Sequence, residues 1–134
     1  DGVRMTRARA TSGSPFEEQF GFCRAIREGN RIIVAGTGPI EDDGDTTQGG
    51  AKEQAERCCA LIVNAIEELG GSAQDVVRTR MFLTDIDQQE SVGAVHAKFF
   101  GEARPAATMV GVATLCRPEW LGEREAEAVV EAHT

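Results

Sequence analysis

The chain has 134 residues, a length typical of one domain with its own hydrophobic core. Its 14 basic and 22 acidic residues give a net charge of -8, which argues against a nucleic-acid groove and against binding to an anionic membrane surface. No apolar run approaches the roughly 20 residues that a membrane-spanning helix needs. The N-terminal residues also lack the apolar core of a signal peptide, so we expect a cytoplasmic protein.

The sequence predicts neither a metal site nor a cofactor. None of the four cysteines falls in a CxxC motif, and we interpret all four as reduced thiols. The two histidines, His96 and His133, lack the spacing of metal ligands. No phosphate-binding loop or dinucleotide fingerprint is present either.

The N-terminal third predicts an arm followed by a hairpin. Residues 1–15 are polar and are expected to form a flexible arm, so that residues 16–134 make up a single domain. Residues 22–26, which are apolar except for Arg24, and residues 32–35 are separated by a turn at residues 28–31. We therefore predict two antiparallel strands here.

A helical pattern begins near Gly50, where apolar residues recur every three or four positions, and it ends at the glycine pair 70–71. Residues 76–84 then alternate as a strand. The alternation predicts Val77, Met81 and Leu83 on one face and Arg78, Arg80 and Phe82 on the other.

The last third predicts a second helix and two strands. Asp87 is expected to cap a helix that ends at Phe100, and residues 107–115 and 125–130 have the pattern of strands. Two helices cover only one face of a sheet. The predicted class is therefore α+β, with a bare sheet face that meets another subunit. The alternation of the last strand predicts Ala126, Ala128 and Val130 under the helices and Glu125, Glu127 and Val129 on the bare face. We also expect Arg24, Arg78 and Arg80 on the bare face, His96 at the surface and Trp120 packed in a loop.

Several segments in order make the chain resemble a known family, the reactive intermediate deaminases (Rid, or YjgF-like proteins), some of which have been called endoribonucleases. The segments are "GNRIIVAG", "VVRTRMFLTDI", "SVGAVHAKFF", "RPAATMVGVATL" and "EAEAVV", spread over residues 16–131. The resemblance implies a chorismate-mutase-like fold, with a mixed sheet, two helices on one face and a homotrimer. It also implies small-molecule clefts at the subunit interfaces. Well-known members hydrolyse 2-imino acids to 2-keto acids and ammonia.

The resemblance also implies which residues form the cleft. Gly36 corresponds to a glycine that lets a ligand approach the backbone, and Glu125 corresponds to the acidic residue that opens the last strand. We therefore predict Glu125 as the catalytic residue that orients or activates water, with an inter-subunit salt bridge as the alternative.

Four further positions of the predicted cleft depart from the deaminase pattern. Phe22 replaces a tyrosine, Gly93 replaces an asparagine, and Met109 replaces a cysteine. Ala107 replaces the arginine that binds the substrate carboxylate. We therefore assign the chain to a subgroup that lacks this arginine.

Arg104 lies three positions before Ala107, and an odd spacing on a strand directs side chains to opposite faces. We therefore expect Arg104 at the surface or an interface, rather than in place of the missing arginine.

Two functional hypotheses follow. The first is hydrolysis of reactive imines or enamines other than typical 2-imino acids. The second is a non-enzymatic protein that binds small molecules or partners on the same trimer scaffold. The net charge argues against a third, cleavage of RNA.

Overall fold

The computed structural model describes residues 7–131, which form six strands and three α-helices. The elements in chain order are β1 (Arg7–Ala10), α1 (Pro15–Phe20), β2 (Ala25–Glu28), β3 (Arg31–Thr37), α2 (Ala51–Glu68), β4 (Val76–Leu83), α3 (Gln89–Phe100), β5 (Ala106–Gly111) and β6 (Gly122–Val129). Short 3₁₀ turns at Ala73–Asp75 and Ile86–Gln88 precede β4 and α3.

The six strands form one mixed sheet in the order β1-β2-β3-β6-β4-β5. All neighbouring pairs are antiparallel except β4 and β5, which are parallel and connected through α3. The last strand of the chain thus lies at the centre of the sheet. This architecture confirms the predicted α+β class and mixed sheet.

Helices α2 and α3 pack together on one face of the sheet, as predicted, and the hydrophobic core lies between them and the strands. Strand β6 contributes small residues, Ala126 and Ala128, which let the helices approach closely. The larger residues of the core are Ile32, Ile62, Ile66, Leu83, Val92 and Phe100. The opposite face of the sheet, which we call the open face, has no covering layer among residues 7–131.

The prediction of a flexible arm at residues 1–15 is wrong for the part that the structure describes. Strand β1 pairs with β2 along its whole length. The Ser14 hydroxyl then caps α1 by accepting a hydrogen bond from the Phe16 N–H at 3.2 Å, with Pro15 at the first helical position. The prediction relied on polar composition alone, but edge strands and short surface helices are polar as well. Residues 1–6 lie outside the described part.

The predicted faces of β4 are correct except at Val77. The register against β6 shifts between Val76 and Arg78, so one extra residue is inserted at this point. This β-bulge leaves Val76 buried and Val77 exposed.

Two predictions about α3 also need correction. Asp87 does not cap α3, because a 3₁₀ turn precedes the α-helix and Asp85 caps that turn by accepting from the Asp87 N–H at 3.0 Å. The N-cap of α3 itself is Gln88, which makes no side-chain capping hydrogen bond. His96, expected at the surface, is partly buried and lies 2.8 Å from the Thr79 hydroxyl. Burial lowers the pKa of His96, and the charge of Arg124 lowers it further.

Arg124 is the only charged residue of β6 on the helix-covered face, where it is 2% exposed. Its Nη1 lies 3.4 Å from the Cys59 sulfur, and its Nε has no hydrogen-bond partner among residues 7–131. No carboxylate in this part of the chain forms an ion pair with it. A buried charge with so weak a partner costs stability.

We expect Arg124→Met to raise the free energy of unfolding by about 1–3 kcal/mol, because a flexible apolar side chain replaces an uncompensated charge. Urea denaturation at one fixed protein concentration measures the change. Arg9→Met, at an exposed position of β1, is the matched control and should change stability by less than about 0.5 kcal/mol. Destabilisation by Arg124→Met would show that the guanidinium supports the core.

Candidate functional site

Three glutamates of β6 project from the open face. The alternation of the strand buries Gly122, Arg124, Ala126 and Ala128 and leaves the residues between them partly accessible. The glutamates are Glu123, Glu125 and Glu127. Strands β3 and β4 flank them on the two sides.

Two of the three carboxylates are engaged in ion pairs within the chain. Glu125 accepts from Arg80 at 2.9 Å, directly across the β4–β6 ladder. Glu127 lies 3.0 Å from Arg31 and 3.8 Å from Arg80. Arg80, Glu125 and Glu127 line a cavity of about 120 Å³ on the open face. Arg78 also lines it, with its Nε lacking a partner among residues 7–131.

Glu123 differs from the other two because no cation or hydrogen-bond donor of residues 7–131 contacts its carboxylate. Burial raises the pKa of Glu123 above its usual value, and the neighbouring charge of Glu125 raises it further. A raised pKa makes a carboxylate a stronger base near neutral pH.

Gly36 provides the space that Glu123 occupies. A Cβ added at Gly36 would lie 2.9 Å from the Glu123 Oε2. The register of β3 against β6 shifts between Val34 and Thr37, and this β-bulge brings Gly36 beside Glu123 while Thr37 is buried.

In the structure the carboxylate beside Gly36 belongs to Glu123, whereas the resemblance pointed to Glu125 as the acidic residue that opens the last strand. Strand β6 begins at Gly122, three positions before the predicted start, so the acidic residue that opens it is Glu123. The period-two alternation of "GEREAEAV" extends back to this position and could have revealed it.

Phe22 follows α1 and is 48% exposed, so it is not a core residue. The Arg24 carbonyl accepts from the Ala35 N–H at 2.9 Å, which continues the β2–β3 pairing towards the end of β3. Phe22 therefore lies at the end of the sheet that also holds Gly36. An exposed aromatic ring at this place can form the wall of a cleft.

Ala107 and Met109 lie on β5, at the edge of the sheet. In the parallel register they stand beside Thr79 and Met81, which face the helices. Met109 packs against the core, whereas Ala107 is exposed. Gly93 lies in α3, and no side chain or neighbouring element of residues 7–131 comes within 4 Å of the position that a Cβ would occupy.

The predicted site residues therefore fall into two groups. Gly36 belongs to the open face, whereas Ala107 and Met109 belong to the helix-covered face. Strands β6 and β4 lie between β3 and β5, a separation of roughly 14 Å at the usual strand spacing. A single chain does not bring the two groups together.

The structure places the remaining sequence candidates away from this region. Arg104 is exposed, as expected, but it lies in the turn before β5 with φ of 50°, so the alternation of the strand does not determine its direction. Arg24 was expected on the open face but lines a separate cavity beside α2. Trp120 packs over Gly38, where an added Cβ would lie 2.4 Å from the indole ring.

No group of three potential metal ligands occurs within residues 7–131, and no helix there is long and apolar enough to cross a membrane. Three cysteines are partly or fully buried, whereas Cys116 is exposed.

We expect Gly36→Ala to displace the Glu123 carboxylate without unfolding the protein, because the added methyl group meets only the end of a flexible side chain. The displaced carboxyl is more hydrated, so its pKa should fall towards the usual value. A carbon-detected NMR titration of the glutamate side chains measures this.

Gly93→Ala is the matched control, since it adds a methyl group to open space in a helix. It should leave the Glu123 titration unchanged and stabilise the protein by about 0.5–1 kcal/mol. An unchanged Glu123 titration in Gly36→Ala would contradict the proposed contact.

Comparison with known proteins agrees with the fold. The Endoribonuclease L-PSP family matches residues 14–130. A RutC family protein of Pyrococcus abyssi is 37% identical over 111 residues, which cover 82% of this chain and 87% of that protein. An uncharacterised protein of Streptomyces coelicolor is 39% identical over 104 residues, 78% of each chain.

Among solved structures, Rv2704 of Mycobacterium tuberculosis superposes with a TM-score of 0.85 at 39% identity. The match covers 93% of this chain and all of that one, and Rv2704 is described as a member of the YjgF/YER057c/UK114 family. By sequence and by fold, the present chain belongs to the YjgF (Rid) family.

Proposed function

We propose that this protein hydrolyses reactive imines or enamines in clefts formed between subunits, and that its substrates differ from typical 2-imino acids. The observation that carries the proposal is the Glu123 carboxylate. It is partly buried, has a raised pKa, lacks a cationic partner within residues 7–131 and lies against the side-chain-free Gly36. We assign the role predicted for Glu125 to Glu123, because Glu125 is paired with Arg80.

The reaction needs little from the protein because a C=N bond is already reactive. Glu123 would accept a proton from water as the hydroxyl group adds to the carbon, and would then return that proton to the nitrogen to give the neutral adduct. Transfer of the hydroxyl proton to the nitrogen, again through the Glu123 carboxylate, breaks the C–N bond and leaves the carbonyl product and ammonia. Positioning of the water and one base is sufficient for such a step. The proposal involves no cofactor or metal.

The substrate class follows from Ala107. A methyl group offers no hydrogen bond to a carboxylate, whereas an arginine would offer two. Arg104, the nearest arginine in the sequence, is exposed in the preceding turn. With Phe22 and Met109 as apolar walls, the cleft suits an imine that lacks the carboxylate.

The cleft requires a second copy of the chain because its two groups of residues lie on different faces of one sheet. We therefore propose a homotrimer, in which the open face of one chain meets the β5 edge of another. Ile33 and Val110 on the open face are 44% and 39% exposed in the single chain, and a partner would cover them. We propose a cytoplasmic location for the assembly.

Glu123→Gln should lower turnover by about 10²- to 10⁴-fold, because the amide cannot accept the proton from water. The assay generates an imine from benzylamine with a flavin amine oxidase and follows its loss by semicarbazide trapping. Glu125→Gln is the matched control and should retain most of the activity. Activity should also fall with decreasing pH through the Glu123 pKa, above the usual range of glutamate.

Loss of activity in Glu125→Gln alone would return the catalytic role to Glu125. Ligand binding without any turnover in the unsubstituted protein would instead favour the non-enzymatic alternative.

When the assay is repeated with 2-iminopropanoate, the protein should increase the rate of imine hydrolysis less than it does with the benzyl imine. Loss of a buried bidentate contact to a carboxylate costs about 2–5 kcal/mol, or roughly 30- to several-thousand-fold in rate. Ala107→Arg should narrow the difference in hydrolysis rate between the two substrates. Equal rates for both substrates in the unsubstituted protein would contradict the proposed substrate class.

The assembly should be trimeric at micromolar concentration, as measured by light scattering and sedimentation equilibrium. Ile33→Asp should weaken it, since it replaces an apolar contact by a carboxylate that would be buried beside Glu127 in the assembly. Ile86→Asp alters an exposed isoleucine outside the sheet and is the control. A stable unsubstituted monomer would refute the trimer.

A further inference from the structure

A second cavity, of about 250 Å³, lies between α2 and the end of β1, away from the open face. Residues 10–12 form one wall, the loop at residues 40–42 forms another, and Leu61 and Ala65 of α2 form the apolar base. At about 30 Å³ per water molecule, this volume holds roughly eight non-hydrogen atoms. It suits a small metabolite.

Arg24 is the distinctive polar group of this cavity. Its backbone is held on both sides, since its N–H donates to Ala10 at 3.0 Å and its carbonyl accepts from Ala35 at 2.9 Å. The guanidinium group is partly buried and has no acceptor within hydrogen-bonding distance among residues 7–131. Burial lowers the pKa of Arg24.

The nearby carboxylate that could neutralise Arg24 is occupied elsewhere. Glu17 is 8% exposed and accepts hydrogen bonds from the backbone N–H and the hydroxyl group of Ser12. It raises the pKa of Arg24 through its charge, but it forms no ion pair with it. Arg24 therefore remains a partly buried cation that lines the cavity without an ion-pair partner among residues 7–131.

The second arginine of the cavity, Arg57, is already satisfied. Its Nε donates to the Ile40 carbonyl at 2.7 Å, and its Nη2 lies 3.1 Å from Asp42. Arg57 thus fixes the 40–42 loop and leaves Arg24 as the cation available to a ligand.

The rim of the cavity on α2 carries Asn64 and, one turn later, Glu68. Neither side chain has a hydrogen-bond partner within residues 7–131. The charged residues that line the cavity are two arginines, Arg24 and Arg57, and three carboxylates, Glu41, Asp42 and Glu68. This excess of negative charge disfavours a simple anion and favours a ligand that carries a cation as well.

We propose that this cavity binds a small free α-amino acid. The carboxylate would pair with the guanidinium fork of Arg24, the ammonium group would lie near Glu68 and Asn64, and a short side chain would contact Leu61 and Ala65. The site lies on the helix-covered side of the sheet, so it is distinct from the cleft at Glu123.

L-Alanine and L-valine are the probes, and calorimetry together with NMR shifts of Leu61 and Ala65 measures binding to the full chain. Propionate lacks the ammonium group and alaninamide lacks the carboxylate. Each should bind at least about 10-fold more weakly than alanine, because a charged hydrogen bond is lost.

Arg24→Gln should weaken alanine binding by about 30-fold or more, and Glu68→Gln by about 10-fold. Arg9→Gln, exposed on β1, should have no effect. Glu68 is exposed on a helix, so its variant tests the site even if Arg24→Gln fails to fold.

Three outcomes overturn the proposal: no saturable binding of either amino acid, equal binding of propionate and alanine, or unchanged affinity in a folded Arg24→Gln protein. The activity of the Glu123 cleft does not enter any of these measurements.

Discussion

The position of β6 between β3 and β4 determines most of this structure. A strand at the centre of a sheet must satisfy both of its edges and both of its faces at once. Here the face under the helices is built from Ala126 and Ala128, and the other face carries glutamates. The eight residues of β6 thereby set the distance between the sheet and the helices, and they supply the carboxylates of the open face.

The glutamates of β6 on the open face differ in whether a neighbouring arginine compensates their charge. On the open face, arginines of β3 and β4 compensate Glu125 and Glu127, whereas Glu123, at the end of the strand, has no such partner within residues 7–131. The difference arises from the neighbours across the ladder. Phe82 stands opposite Glu123, whereas Arg80 stands opposite Glu125. An apolar neighbour and a bulge with a glycine therefore keep one carboxylate basic while the adjacent one is neutralised.

Much of the fold was predictable from the sequence because periodicity reports burial. The spacing of apolar residues predicted α2 and α3, and the alternation predicted the faces of β6. The bulges at Val77 and Gly36 were not predictable, since an inserted residue changes the register only in the presence of a partner strand. That is why Val77 was assigned to the wrong face.

The candidate site was predicted in part, for a related reason. Gly36 was identified from the resemblance, but its carboxylate partner depended on where β6 begins, and strand ends are weakly encoded. The sequence predicts a strand that starts at residue 22, and the alternation of side chains along this strand would place Arg24 on the open face. In the structure β2 starts at Ala25, so the alternation does not extend to Arg24.

The two edges of the sheet are protected very differently. Edge strand β1 carries Arg7 and Arg9, and such charges oppose pairing with a foreign strand. Edge strand β5 has the sequence AATMVG, without any charge, proline or large polar side chain. Within residues 7–131 no strand pairs with the outer side of β5, so its backbone groups offer a template for adding strands from other chains. In the proposed homotrimer, dilution, truncation or heating that separates the subunits would expose this edge, so loss of assembly and onset of aggregation should be the same event.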